Sequence, residues 1–270
     1  MSRDVFDVGK TTGLMELAAS VARDAGRVAL GSFRKALRVD RKHGTELVTA
    51  VDFATEELIR RRLESAEPEI PILAEEEGGP RDARCYWCVD PIDGTTNYAH
   101  GHPFWAVSIG FVVDGEPIVG VVVAPALGIE WVARQDGPAL RDGDVCRVSG
   151  ADSIVDALLA TGFPYDCHTN PDSNFDRFEL VHRRAVGVRR CGSASLDLCF
   201  VADGTYDGYW EKGLRPWDLA AGVCIVRSAG GTVTSVSGDA IDLLAGNVVA
   251  TNGRVHDVLV RLLSTSLPIP

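Results

Sequence analysis

The sequence holds no uninterrupted apolar run approaching the ~18 residues of a membrane-spanning helix, so no span is expected. Its first residues, Met-Ser-Arg-Asp-Val-Phe-Asp, are polar and acidic and lack the apolar centre of a secretory signal. Basic residues are in deficit: 27 Lys+Arg face 38 Asp+Glu, for a formal charge of −11. A binder of nucleic-acid backbones needs the opposite balance, so no direct nucleic-acid partner is expected, whereas a small phosphate held through a metal is compatible with it. The seven cysteines are odd in number and scattered. Without an export signal they are expected to be reduced thiols in a cytoplasmic protein. Repeats, low-complexity tracts and linker-like stretches are absent.

What is present is ordinary globular material. The chain has 270 residues, 46% hydrophobic and 24% charged, enough to bury a core without disulfides or structural metals. Leu14, Leu17, Ala18, Val21, Ala25 and Val28 recur at helical spacing and predict a helix over about 12–35. Thr49 and Asp52 resemble a capping box opening a second helix, with Val51, Ala54 and Leu58 on its buried side. A short strand, Ile72-Leu73-Ala74, ends in the acidic run Glu75-Glu76-Glu77. Strands are then expected up to Asp90, over 105–113, 118–124 and 129–133, forming an antiparallel meander with a turn at Asp114-Gly115. After about residue 150 strands (157–161, 186–189, 206–210, 232–236, 248–250) alternate with helices (175–184, 193–202, 217–229, 255–263). The pattern predicts a layered α+β sandwich with mixed and antiparallel sheets, in one domain over 1–270 with a soft division near residue 150.

Three motifs carry little. Gly9-Lys10-Thr11 imitates the end of a phosphate-binding loop, but Asp4 stands where the pattern needs its first glycine. Cys85-Tyr86-Trp87-Cys88 lacks a well-spaced second pair of zinc ligands and sits at a strand entrance. Arg183-Arg184 and Arg189-Arg190 read as solvated faces or ion pairs.

Asp90-Pro91-Ile92-Asp93-Gly94-Thr95-Thr96-Asn97 is more informative. Pro91 neither continues a helix nor donates a ladder hydrogen bond, so the chain is expected to turn there, freeing the Ile92 carbonyl and bringing Asp93 towards Asp90. Two carboxylates held together by a turn repel unless a hard divalent cation, Mg²⁺ or Mn²⁺, sits between them. Gly94 admits a ligand close to the backbone, and Thr95 and Thr96 can open a helix whose N–H groups meet a phosphate. Taken singly, Asp93-Gly94 is an Asp-Gly turn, Glu75-Glu76-Glu77 an exposed acidic loop, and Asp218 a first-turn acid favoured by the helix dipole.

Together these segments closely resemble the inositol monophosphatase family of Mg²⁺-dependent, lithium-sensitive phosphatases, which are sugar-phosphatase-like in fold. Asp90–Asn97 resembles its first signature, Trp217-Asp218-Leu219-Ala220-Ala221-Gly222 its second, and Leu47-Val48-Thr49-Ala50-Val51-Asp52 its early segment. Gly192-Ser193-Ala194 and Tyr209-Trp210-Glu211 resemble its substrate-side elements. The resemblance implies that Glu75, Asp90 and the Ile92 carbonyl hold one Mg²⁺, that Asp90, Asp93 and Asp218 hold a second, and that a third, weaker ion sits near Glu75. Glu75 and Thr95 would orient and activate water, and the N–H groups of Gly94 and Thr95 would bind phosphate oxygens. Asp93, the Ala194 N–H, Glu211 and Asp218 would face polyol hydroxyls. Two departures from the family pattern are visible. Ala74 replaces a usual glycine before Glu75-Glu76, and Glu77 leaves the register open, with Glu76 as an alternative ligand. Glu46 replaces a usual aspartate, and His43 and Asp52 belong either to a metal-associated loop or, for Asp52, to a helix cap.

The activity implied is hydrolysis of inositol-1-phosphate by in-line attack of water, in a homodimer. The alternatives are a broader sugar-phosphate, fructose-1,6-bisphosphate, histidinol-phosphate or nucleotide 3′-phosphate phosphatase, or an interaction protein of an RNA or transcription complex with vestigial catalysis.

Overall fold

The computed structural model describes residues 7–35, 39–41, 47–170 and 172–264. His43 and Glu46 lie outside the described residues. Asp7 caps α1 (Val8–Ser32) by accepting from the Lys10 N–H, so Gly9-Lys10-Thr11 is a first helical turn. Leu14, Ala18, Val21 and Ala25 are buried as the spacing predicts, but Val28 is exposed, and the helix both starts and stops earlier than expected. β1 (Val39–Arg41) and β2 (Leu47–Thr49) form a small antiparallel pair that hydrophobic pattern does not reveal. Thr49 then caps α2 (Ala50–Ala66) in a capping box with Asp52. The buried side of α2 runs through Val51, Thr55, Ile59 and Leu63, and Ala54 faces solvent.

The larger sheet follows. β3 (Ile72–Ala74) pairs in parallel with β4 (Cys85–Asp93). Beyond β4 and a short helix α3 (Thr95–Ala99), β5 (Ala106–Val113), β6 (Glu116–Ala124), β7 (Ile129–Arg134), β8 (Leu140–Arg141) and β9 (Asp144–Val145) extend it as an antiparallel meander. The last two strands, of two residues each, are too short to show a period in sequence. β4 does not end at Pro91. It continues to Asp93 through an irregularity between Asp90 and Asp93, which folds the expected turn into the strand itself.

The smaller sheet has the order β11 (Gly187–Arg189), β10 (Leu158–Thr161), β12 (Gly208–Glu211), β14 (Val248–Thr251), β13 (Thr232–Thr234). α4 (Phe175–His182) and α7 (His256–Ser264) cover its outer face. α1 and α2 cover the outer face of the larger sheet. α5 (Ala194–Ala202) and α6 (Pro216–Ser228) fill the space between the sheets. The result is the layered α+β sandwich expected. Both faces of the larger sheet are buried: Trp87 and Val89 meet α1 and α2, while Tyr86 and Cys88 meet the central helices. Cys85 and Cys88 therefore point to opposite faces and cannot act as a ligand pair. Among the described residues no helix is long and apolar enough to cross a membrane.

α6 lies unusually close to the sheet because glycine stands beneath it. A Cβ on Gly120 would come within 2.3 Å of the Ala221 carbonyl oxygen. Gly120→Ala is expected to lower unfolding free energy by about 1–3 kcal/mol through overpacking, as read from urea unfolding. An unchanged midpoint would show that α6 can lift off the sheet without cost.

Candidate functional site

The acids anticipated from the sequence come from separate elements and meet at one place. Asp90 and Asp93 lie on the irregular end of β4, and Asp218 stands in the first turn of α6. Each offers a carboxylate oxygen to a group whose members all lie within 4.8 Å of one another. Asp90 and Asp93 are buried at 2% and 7% exposure, and Asp218 is half-buried. Asp90 also accepts from the Ile92 N–H at 2.9 Å, closing the local turn. Asp218 accepts from the Arg215 N–H at 2.7 Å, which fixes it as the third residue of its helix.

Glu75, immediately after β3, brings its carboxyl within hydrogen-bonding reach of Asp90. Glu75 is thus the member of the acidic run that reaches the cluster. The neighbouring N–H groups of Glu76 and Glu77 are instead both held by Glu56, at 2.8 and 2.9 Å. Glu56 is 1% exposed and ion-paired with Arg60 at 2.9 Å. This buried carboxylate pins the turn that presents Glu75. Nothing local marks it in the sequence, where it looks like one of many helix glutamates.

Burial is the main reason the Asp90, Asp93 and Asp218 carboxyls are held above the ordinary range. Their mutual repulsion and that of Glu75 add to the rise at Asp90 and Asp218. At Asp93 hydrogen bonds pull the other way. Its Oδ2 accepts from the Ser193 hydroxyl at 2.6 Å, the Ser195 hydroxyl and the Ser195 N–H at 2.7 Å, and the Ala194 N–H is also directed at this carboxylate. The Ala194 N–H, expected to face a substrate hydroxyl, is therefore engaged with Asp93. Ser193 and Ser195 join the site without having been singled out individually. The donor set is all oxygen and strongly acidic, which suits a hard divalent cation.

Gly94 follows with φ +93°, a left-handed conformation open to glycine. It lets the chain double back into α3, placing Thr95 at 6% exposure against the cluster. Thr95 Oγ1 donates towards the Ile92 carbonyl at 3.0 Å and Asp52 Oδ1 at 3.2 Å. Asp52 is wholly buried, and its Oδ2 accepts from the Thr49 N–H at 2.8 Å and the Thr49 hydroxyl at 2.6 Å. Asp52 is thus both helix cap and hydrogen-bond partner of Thr95. Asn97 donates to the Phe104 carbonyl at 2.7 Å and the Cys191 carbonyl at 2.8 Å, bolting α3 to the segment before α5. Glu211, at the end of β12, accepts from the Tyr209 hydroxyl at 2.5 Å. Burial pushes its carboxyl up to about 7, against the opposing pull of Tyr209 and Arg190.

A layered α+β sandwich with an acidic, oxygen-only pocket where β4, α3, α5 and α6 meet defines a sugar-phosphatase-like architecture. The profile of the inositol monophosphatase family matches residues 11–267, and the chain belongs to that family. The chain is 38% identical to an inositol-1-monophosphatase of Synechocystis sp. over 98% of its own length and 93% of the relative's. It is equally 38% identical to a protein of Pseudomonas aeruginosa named Nus factor SuhB, over 94% and 97% of the two chains. Among solved structures, an inositol monophosphatase from Anabaena (Nostoc) sp. superposes with a TM-score of 0.88 at 38% identity, covering 96% of this chain and 98% of that one.

Two outcomes follow from the electrostatics. Metal-free Asp90→Asn should be more stable than the metal-free wild type, since one repelling buried charge is gone, whereas Mg²⁺ should raise the melting midpoint of the wild type only. The wild-type gain should shrink as pH falls, because carboxyls with raised pKa take up protons in the folded state and no longer offer charge to the ion. Equal Mg²⁺ responses of the two proteins would contradict this. Glu56→Gln removes one acceptor and the charge paired with Arg60. It should cost about 1–3 kcal/mol and move the Mg²⁺ titration of stability to higher concentration, as followed by thermal melts at graded Mg²⁺.

Proposed function

We propose that this chain is a Mg²⁺-dependent phosphomonoesterase that hydrolyses inositol-1-phosphate to myo-inositol and phosphate. The observation that carries the reading is the convergence of Asp90, Asp93 and Asp218 on one buried point beside Thr95. Glu75, Asp90, Asp93, Asp218 and the Ile92 carbonyl would hold two or three Mg²⁺ ions, or Mn²⁺ in their place. When bound, such ions neutralise charge on the phosphoryl oxygens and make water more acidic.

The chain's own residues do the rest. The N–H groups of Gly94 and Thr95 bind phosphate oxygens and orient phosphorus for in-line attack. Thr95 has a single hydroxyl proton, directed at Asp52 or the Ile92 carbonyl, so its oxygen accepts from the attacking water. Asp52 fixes that hydroxyl, and Glu75 orients the water from the other side. Glu211, Asp93 and Asp218 accept from the polyol hydroxyls, with Ala194 supporting Asp93. The protein works as a cytoplasmic homodimer of single-domain protomers and is inhibited by Li⁺.

A second reading, an interaction protein of an RNA or transcription complex with vestigial catalysis, is favoured by the likeness to the protein named Nus factor SuhB. The complete acid set and the formal charge of −11 weigh against it.

Phosphate release from inositol-1-phosphate should require Mg²⁺ and exceed that from fructose 1,6-bisphosphate, histidinol phosphate and nucleotide 3′-phosphates in kcat/KM. Asp52→Asn should lower kcat by about 10²–10³-fold with little change in KM, because it disturbs the Thr95 hydroxyl that orients the attacking water, while the weakened α2 cap shows in the melting midpoint and not in KM. Absence of phosphate release from every ester, together with stable capture of a transcription complex, would reverse the ranking.

A further inference from the structure

Glu211 is held in place by an empty space. Gly162, the residue after β10, is buried, and a Cβ built on it would lie 2.0 Å from Glu211 Oε2 and 2.1 Å from both Oε1 and Cδ. Ordinary contact between heavy atoms is about 3.5 Å, so the overlap is about 1.5 Å. Backbone conformation does not demand glycine here, since Gly162 is not among the residues of positive φ. The three atoms nearest to that Cβ all belong to the Glu211 carboxylate.

The two backbones are fixed relative to each other, so the Glu211 side chain is what a Cβ here would displace. β10 pairs in parallel with β12, with Thr161 opposite Trp210, so Gly162 and Glu211 are the next residues on each strand. Thr161 Oγ1 donates to the Trp210 carbonyl at 2.7 Å. Asn174, 2% exposed, donates to Thr161 Oγ1 at 2.9 Å and to the Gly162 carbonyl at 2.7 Å, and accepts from Trp210 Nε1 at 2.9 Å. These bonds clamp the Gly162 peptide to the strand that carries Glu211. Tyr209, fully buried, donates its hydroxyl to Glu211 Oε2. The carboxylate is thus held by a donor and occupies the space that a side chain at position 162 would fill.

We infer that Gly162 is a specificity-determining positioning residue. The gap it leaves aims Glu211 at the hydroxyl-bearing part of a polyol phosphate, so that phosphate esters of polyols are favoured over phosphate esters without hydroxyls. The inference rests on the polyol-phosphate reading above and adds to it the structural origin of the preference. It involves no contact between Gly162 and the phosphate, so the effect falls on polyol binding.

The test compares kcat/KM for inositol-1-phosphate with kcat/KM for phenyl phosphate in each protein at fixed Mg²⁺. The ratio is independent of the fraction of variant that folds. Gly162→Ala should lower it by about 10–100-fold, chiefly through KM for inositol-1-phosphate, because a misplacement of about 1 Å has effects of this order. Glu211→Asp withdraws the carboxylate by one C–C bond, about 1.5 Å, which matches the overlap. In the Glu211→Asp background, adding Gly162→Ala should therefore leave the ratio almost unchanged. A Gly162→Ala ratio within twofold of wild type, or equal falls in both backgrounds, would overturn the assignment while leaving the substrate reading intact. Failure of the wild type to hydrolyse inositol-1-phosphate would remove the substrate reading and the assignment with it.

Discussion

The structure is organised around an electrostatic conflict. Asp90, Asp93 and Asp218 are brought within 4.8 Å of one another in a place that excludes most water, with Glu75 against Asp90. Each carboxylate loses solvation there, and each raises the cost of ionising its neighbours. Among the described residues part of that cost is met by the Ile92 N–H on Asp90, the serine and backbone donors around Asp93 and the Arg215 N–H on Asp218. Such a cluster could hold a ligand of opposite charge. The all-oxygen donor set indicates what kind of cation suits it.

The rest of the fold serves to bring these groups together from distant parts of the chain. The irregular end of β4 allows one strand to present Asp90 and Asp93 in the same direction. The glycine at position 120 lets α6 settle onto the larger sheet, carrying Asp218 with it. Glu56 on α2 reaches across to the turn after β3 and holds the backbone beside Glu75. Asp52, one turn earlier on the same helix, reaches Thr95. α2 therefore supports two sides of the site while appearing, in sequence, to be a peripheral amphipathic helix. Core packing and site geometry are in this way the same set of contacts.

What could be read from the sequence was what is local. The run from Asp90 to Asn97 declares its turn, its acids and its helix start within eight residues, and the Thr49–Asp52 cap is legible at a spacing of three. The layered alternation of strands and helices was legible because periods of two and 3.6 persist over whole elements. Long-range partnerships were not. Glu56 acts on N–H groups 20 and 21 residues away, and Ser195 acts on Asp93 across 102 residues. Ala54 faces solvent because α2 buries Thr55 and Glu56 beside the site instead of a purely apolar stripe, so polar burial displaces the face expected from hydrophobic spacing. Gly162 carries no signal of its own in the sequence, because its neighbour Glu211 is set by the pairing of β10 with β12.

The most direct test of the central claim is anomalous X-ray diffraction from crystals grown with Mn²⁺. The account predicts anomalous peaks bridging the carboxylates of Asp90, Asp93 and Asp218, at coordination distance from their oxygens. Mn²⁺ found only elsewhere on the molecule, with these three side chains close together and no ion between them, would contradict it.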